Sequence, residues 1–387
     1  MLKKLMFLSS FLLILIVLAG CQNDQSPITG PDDVQSLDKG GLDKRGHYGS
    51  AVYTLSNSPA GNEVIMFRRN RHGNLSPAGS FSTGGLGTGS GLGSQGAVVL
   101  ADGFLFAVNA GSDEISVMSF SHSGLNLVSK VSSGGTMPIS LTVHRHLLYV
   151  LNAGSDGNIT GFRISRSGEL TPIPGSTQPL SGSGVGPAQV EFNPWGNVLV
   201  VTEKGTNSID TYVVGYNGVA GPPNTQASTG DTPFGFEFDR RGHLIVSDAF
   251  GGGAGLGAMS SYNVSAGGIS LITGPVANGQ AAPCWVVVTK NGRFTYTSNT
   301  ATGNISGYKI RHNGGLTLFN DGGITASTGE GSKPIDMSIS NNSQYLYCLN
   351  SGNQTISVFR INNRHGSLSP VQTVSGLPVG SAGLAAN

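Results

Sequence analysis

Residues 147–175 read LLYVLNAGSDGNITGFRISRSGELTPIPG. An apolar run ends at Asn152, a turn rich in Gly, Ser and Asp follows, a second run carries Phe162, and Gly168 opens a hairpin into a third run. Residues 345–373, YLYCLNSGNQTISVFRINNRHGSLSPVQT, repeat the pattern with Asn350 and Phe359, and 293–320 repeat it with Asn299 and Tyr308. Along the whole chain a short apolar strand closes on Asn57, Asn109, Asn152, Glu203, Asp248, Asn299 and Asn350, at intervals of 52, 43, 51, 45, 51 and 51 residues. A period of this length marks propeller blades rather than helical solenoids.

Each unit needs a fourth strand, and the segments MPISLTV, GPAQVEF, TPFGFEF, APCWVVV and KPIDMSI supply it just upstream. Proline suits the first residue of a strand, where no ladder hydrogen bond is lost. Four antiparallel strands per blade and seven units predict an all-β, seven-bladed propeller over residues 47–387. No stretch after residue 46 has a sustained 3.6-residue apolar period with caps, so almost no helix is expected, and 60 Gly and 18 Pro read as hairpin punctuation. The first unit, SAVYTLSN, lacks an upstream strand, whereas the chain ends in the lone segment LPVGSAGLAAN. The C-terminus is therefore expected to supply the innermost strand of the first blade, which removes two exposed sheet edges.

The N-terminus has a different chemistry. MLKK is followed by the apolar run LMFLSSFLLILIVL and by LAGC, small residues directly before Cys21. This pattern resembles a bacterial lipoprotein signal, which implies a signal peptide over 1–20 and acylation of Cys21. The apolar run falls short of the ~20 residues that a spanning helix needs. Residues 21–46 are polar and rich in Gly, Pro and Asp, as in a flexible tether. The expected location is the cell envelope, lipid-anchored, at an outer membrane facing the periplasm or the cell surface.

Charged residues make up 11% of the chain and the formal net charge is +1, so no phosphate-tracking surface and no nucleic-acid partner is expected. Arg68-Arg69 and Arg240-Arg241 read as solvated turn residues. Cys284 and Cys348 read as buried free thiols. Gly91, Gly93 and Gly96 fit G-x-G-x-x-G, but a strand follows them instead of a helix, so the dinucleotide reading lacks its physical basis. His144 and His146 would share a strand face with no third ligand nearby, so no metal and no cofactor is expected.

The hairpins HGNLSPAG, SGELTPIPG and HGSLSPVQ and the strands LYVLN and LYCLN resemble the lactonase family of seven-bladed propellers, which includes a bacterial 6-phosphogluconolactonase and the fungal enzyme that lactonizes 3-carboxymuconate. The Asn-ended strands also resemble the Tyr-Val-Thr-Asn repeats of bacterial surface propellers. The family resemblance implies a His, an Arg and a Glu meeting at the channel mouth. Here Ile139 stands where the His would be, Ala188-Gln189 replace the Arg and His, and Glu203 remains. Glu203 and Asp248 occupy a position that is Asn in the other five units, so they could act as an acid–base pair or simply accept turn hydrogen bonds. The first residues of the opening strands, Gln95, Ser140, Gln189, Trp285 and Asp336, are expected to face the mouth and to suit a polar, ring-bearing ligand such as a sugar or lactone.

Two functions follow from these residues. One is a lipid-anchored envelope module that binds a small polar ligand or a partner protein at the mouth. The other is a lactone hydrolase or lactonizing cyclase, with Glu203 as general base, Gln189 or Gln95 orienting the carbonyl, and Asp248 as the second carboxylate.

Overall fold

The computed structural model describes residues 49–387. The expected signal segment 1–20, Cys21 and the tether 21–46 lie outside the described residues. Seven antiparallel sheets form the blades of one ring. Innermost strands come from Ala382–Ala386 for blade 1, then Val98–Ala101, Pro138–His144, Pro187–Phe192, Pro233–Phe238, Pro283–Val288 and Pro334–Ile339 for blades 2 to 7. The only helical element among the described residues is a short turn at Phe250–Gly252.

Ring closure is as expected. The C-terminal strand pairs antiparallel with Ala51–Leu55, with Thr54 opposite Leu384. Thr54 Oγ1 donates to Gly383 O at 2.7 Å, and Ala51 N donates to Asn387 Oδ1 at 2.6 Å. Blade 1 is thus assembled from both ends of the propeller.

The second strand of each blade is sandwiched on both faces by neighbouring blades, which explains its near-continuous apolar reading. Leu147–Asn152, Phe294–Asn299 and Tyr345–Asn350 are almost wholly buried. The third-strand aromatics Phe162, Tyr308 and Phe359 are buried as well. A repeated tyrosine latch joins consecutive blades: Tyr149 Oη donates to Gly218 O at 2.7 Å, Tyr296 Oη to Gly366 O at 2.7 Å, and Tyr345 Oη to Arg71 O at 3.0 Å. Buried phenol hydroxyls need such partners, so each latch fixes the spacing of two blades while burying a ring.

Strand direction divides the molecule into two faces. Hairpin turns between the first and second strands, and between the third and fourth, lie on one face, here called the turn face. Blade-to-blade connectors and the loops after Asn57, Glu203 and their equivalents lie on the other, the loop face. Ser50 leads into the second strand of blade 1 from the turn face, beside Asn387.

Candidate functional site

The glycine-rich connector from blade 1 to blade 2 crosses the channel on the loop face. Ser94 Oγ donates to Ile139 O of blade 3 at 2.8 Å, and Gln95 N donates to Ala188 O of blade 4 at 3.2 Å. Gln95 Nε2 donates to Val286 O of blade 6 at 2.7 Å, and Val286 N returns a bond to Gln95 Oε1 at 2.9 Å. Trp285 Nε1 donates to Ser94 O at 2.8 Å, and Lys204 Nζ of blade 4 donates to Gly93 O at 2.7 Å. A segment bonded to blades 3, 4 and 6 at once must lie over the ring axis. The G-x-G-x-x-G run is therefore a plug, and its glycines let backbone approach backbone.

Gly235, in the innermost strand of blade 5, shows how tight this seal is. A Cβ there would stand 2.4 Å from Gln95 Oε1 and 2.5 Å from Cys284 O. Only glycine leaves room for the incoming glutamine amide.

The five residues expected at the mouth are sealed in, and Gln95 precedes its blade's opening strand, which begins at Val98. Gln95, Ser140, Gln189, Trp285 and Asp336 are all buried. Gln189 Nε2 donates to Phe236 O at 2.9 Å, and Phe236 N donates to Gln189 Oε1 at 2.8 Å. Ser140 Oγ accepts from Val190 N at 3.1 Å. Both glutamine amides are thus spent on holding the blades together. Trp285 packs on Phe234, with ring centroids 4.9 Å apart. Asp336 Oδ1 accepts from Met337 N, Oδ2 has no hydrogen-bond partner, and burial raises this carboxyl well above the ordinary range.

Glu203 ends the second strand of blade 4 and is fully buried. Its carboxylate accepts from Ser181 N at 3.0 Å, from the Ser181 hydroxyl, and from Thr206 Oγ1 at 2.7 Å. Its acidic neighbour is Asp210, which burial and the hydrogen bond that its protonated form donates to Glu203 push up to about 7. Asp248, also fully buried, accepts from Ser260 Oγ at 2.5 Å, and burial pushes it up to about 7. Beside Glu203, Lys204 lies 4.6 Å from the centroid of the Phe234 ring, and burial lowers its amine to about 8.

Below the sealed layer the axis widens into a cavity of about 640 Å³. Gln95, Gln189 and Asp336 line its inner end, and Asp102, Lys290, Asn341 and Asn387 line its end at the turn face. Glu191 and Glu237 stand between them on adjacent blades. Burial and the charge of Glu237 hold the Glu191 carboxyl well above the ordinary range, while Lys290 pulls it down. Burial likewise raises Glu237 against Lys290. Gln189 Nε2 donates to Glu191 Oε2 at 3.0 Å, so the sealed layer positions the first carboxylate of the open one.

Sequence reasoning missed Glu191, Glu237 and Lys290. A signal existed: Glu occupies the fourth place after the opening proline in PAQVEF and PFGFEF, where Thr142, Val287 and Ser338 stand in other blades. Two acids in strands this apolar have a reason to be there. Such a pair, one protonated and one ionised beside an ammonium, can donate to and accept from a hydroxyl or a carbonyl. Among the described residues no group of three or more His, Cys, Asp or Glu side chains could hold a metal ion. Cys284 and Cys348 are buried free thiols, as expected.

Comparison with known proteins agrees with this architecture. The family described as lactonase, 7-bladed beta-propeller, matches residues 51–185 and 265–384. No curated protein matches the chain by sequence. The periplasmic gluconolactonase of Pseudomonas aeruginosa is similar in structure at a TM-score of 0.67 and 16% identity, covering 87% of this chain and 99% of that one. A protein from Lactobacillus plantarum is similar at a TM-score of 0.70 and 16% identity, covering 88% and 99%. Hydrazine synthase of Kuenenia stuttgartiensis is similar at a TM-score of 0.53 and 14% identity, covering 72% and 87%. At such identities the likeness is one of fold, and the fold carries different chemistries.

Proposed function

Because the chain belongs to the lactonase family of seven-bladed β-propellers, we propose that it binds a small polar molecule, a sugar or a sugar lactone, in its axial cavity. The observation that carries this reading is a cavity that gathers Glu191, Glu237, Lys290 and Asp336, a residue whose Oδ2 is buried without a hydrogen-bond partner. A buried polar atom without a partner costs about 1–3 kcal/mol, which a ligand hydroxyl would recover. The proposed setting is the cell envelope, with the chain tethered through an acylated Cys21. The periplasmic location named for the Pseudomonas relative supports that setting.

A second reading is lactone hydrolysis. It is favoured by the raised, mutually repelling carboxyls of Glu191 and Glu237, which suit an acid and a base in one cleft. The opposite end offers Glu203 as general base, but there the carboxylate is enclosed by Ser181 and Thr206, Gln189 is bonded to Glu191 in the cavity, and Asp248 is bonded to Ser260.

One experiment separates these readings. The chain from residue 21 onward is titrated calorimetrically with gluconolactone, gluconate and neutral hexoses, and lactone turnover is followed in parallel. Binding without turnover, lost in Glu237→Gln and kept in Glu203→Gln, is the expected result. Turnover lost in Glu237→Gln would establish hydrolysis in the cavity, and turnover lost in Glu203→Gln would move the chemistry to the sealed end. Binding to none of the compounds would refute the proposal.

A further inference from the structure

The net charge of +1 conceals a strong separation. The hairpin turns of the turn face carry nine Lys and Arg residues, against Asp102, Glu169 and Asp239. Of these acids, Asp239 is fully buried and bound to His243 Nδ1 at 2.9 Å and Arg241 at 3.7 Å. Arg71, Arg145, Arg166, Arg240, Arg311 and Arg364 are exposed, and they come from blades 1, 3, 5, 6 and 7. The loop face shows the reverse: its loops and connectors hold Asp113, Asp156, Asp231 and Glu330 against Lys204 and Lys333.

Blade 4 adds a second feature to the same face. Trp195, in the turn between its first two strands, is 60% exposed, and Tyr216, in the turn between its last two, is fully exposed. Aromatic side chains with a polar edge favour the boundary between lipid headgroups and acyl chains. A ring of arginines with an exposed Trp and Tyr fits a surface that is both anionic and partly apolar. Phosphate recognition by guanidinium groups supplies the charge part of that fit.

The chain also enters the propeller on this face. Ser50, next to the first strand residue, sits beside Asn387.

We propose that the turn face docks on an anionic phospholipid surface, with the arginine ring over the headgroups and Trp195 and Tyr216 at the interface. This does not depend on acylation of Cys21, which would only raise the local concentration. The cavity opens on the same face, so docking shields it and competes with ligand entry.

The test uses the chain from residue 21 onward with Cys21→Ser, which can take no acyl group. It is sedimented with vesicles of phosphatidylglycerol or of phosphatidylcholine at low salt. Binding to the first and not the second is expected, lost on adding salt, because exposed charges are screened. Trp285 is buried, so a blue shift of tryptophan emission on binding reports Trp195. Each basic residue near an anionic surface contributes about fivefold to partitioning, so Arg166→Glu, Arg240→Glu and Arg311→Glu together should lower it roughly a hundredfold or more, with melting unchanged. Equal binding to both vesicles, no binding to phosphatidylglycerol at low salt, or salt-independent binding would overturn the proposal, and these need no substitution. Failure of the native Cys21 chain to acylate would refute the anchor alone.

Discussion

Asp248→Asn should stabilise the propeller, and only above a defined pH. Blades 2, 6 and 7 hold Asn109, Asn299 and Asn350 at this position. Their Nδ2 atoms donate to Ser116, Ser306 and Ser357 Oγ at 2.7, 2.8 and 2.8 Å. In blade 5 the bond is reversed: Ser260 Oγ donates to Asp248 Oδ2, and Oδ1 has no partner. Burial, aided by Asp231 and opposed by Ser260, raises this carboxyl from 3.8 to about 7.

The sign follows from proton counting. Between about pH 4 and pH 7 the folded chain keeps a proton that the unfolded chain has lost, so stability falls as pH rises through that window. Below it both states are protonated, and above it the full cost of a buried carboxylate is present. A displacement of about three pH units at ~1.4 kcal/mol each amounts to roughly 4 kcal/mol at pH 8 and about 0.5 kcal/mol near pH 4. An asparagine would avoid that cost by donating to Ser260 Oγ, as its equivalents do in three other blades. Thermal melting of both proteins at pH 4 and pH 8 checks this: a gain of about 4–8 °C is expected at pH 8 and almost none at pH 4. Equal melting at pH 8, or a gain of the same size at both values, would refute the reasoning.

Two structural predictions accompany it. Deleting residues 376–387 removes the innermost strand of blade 1 and opens two sheet edges, so the chain should aggregate or fail to melt cooperatively; a soluble deletion variant with unchanged melting would contradict ring closure. Gly235→Ala drives a methyl group against Gln95 Oε1 and the Cys284 carbonyl, and should cost about 1–3 kcal/mol in denaturant titration, whereas an unchanged midpoint would mean that the plug yields freely.

The repeat was legible because its cues are local. The Asn-closed strands, the prolines before the opening strands and the Gly hairpins each report on a few neighbouring residues, and their spacing counts the blades. That Gln95, Ser140, Gln189, Trp285 and Asp336 would be buried beneath a seal, and not exposed at a mouth, was not readable. Gly93, Ser94 and Gln95 meet partners between 45 and 191 residues away, and nothing in the glycine-rich run names them. Glu191 and Glu237 were visible as acids in apolar strands, but the cavity that gives them a use exists only once seven blades close.

Fold class, blade number and the role of the C-terminal strand follow from periodicity and strand count, because each blade writes its apolar strands and its turns directly into the chain. Which end of the channel is open, which carboxylates share it and on which face the arginines gather follow from closure of the ring. Closure brings residues from different blades together, and a net charge or a motif in one blade carries no record of its neighbours across the axis.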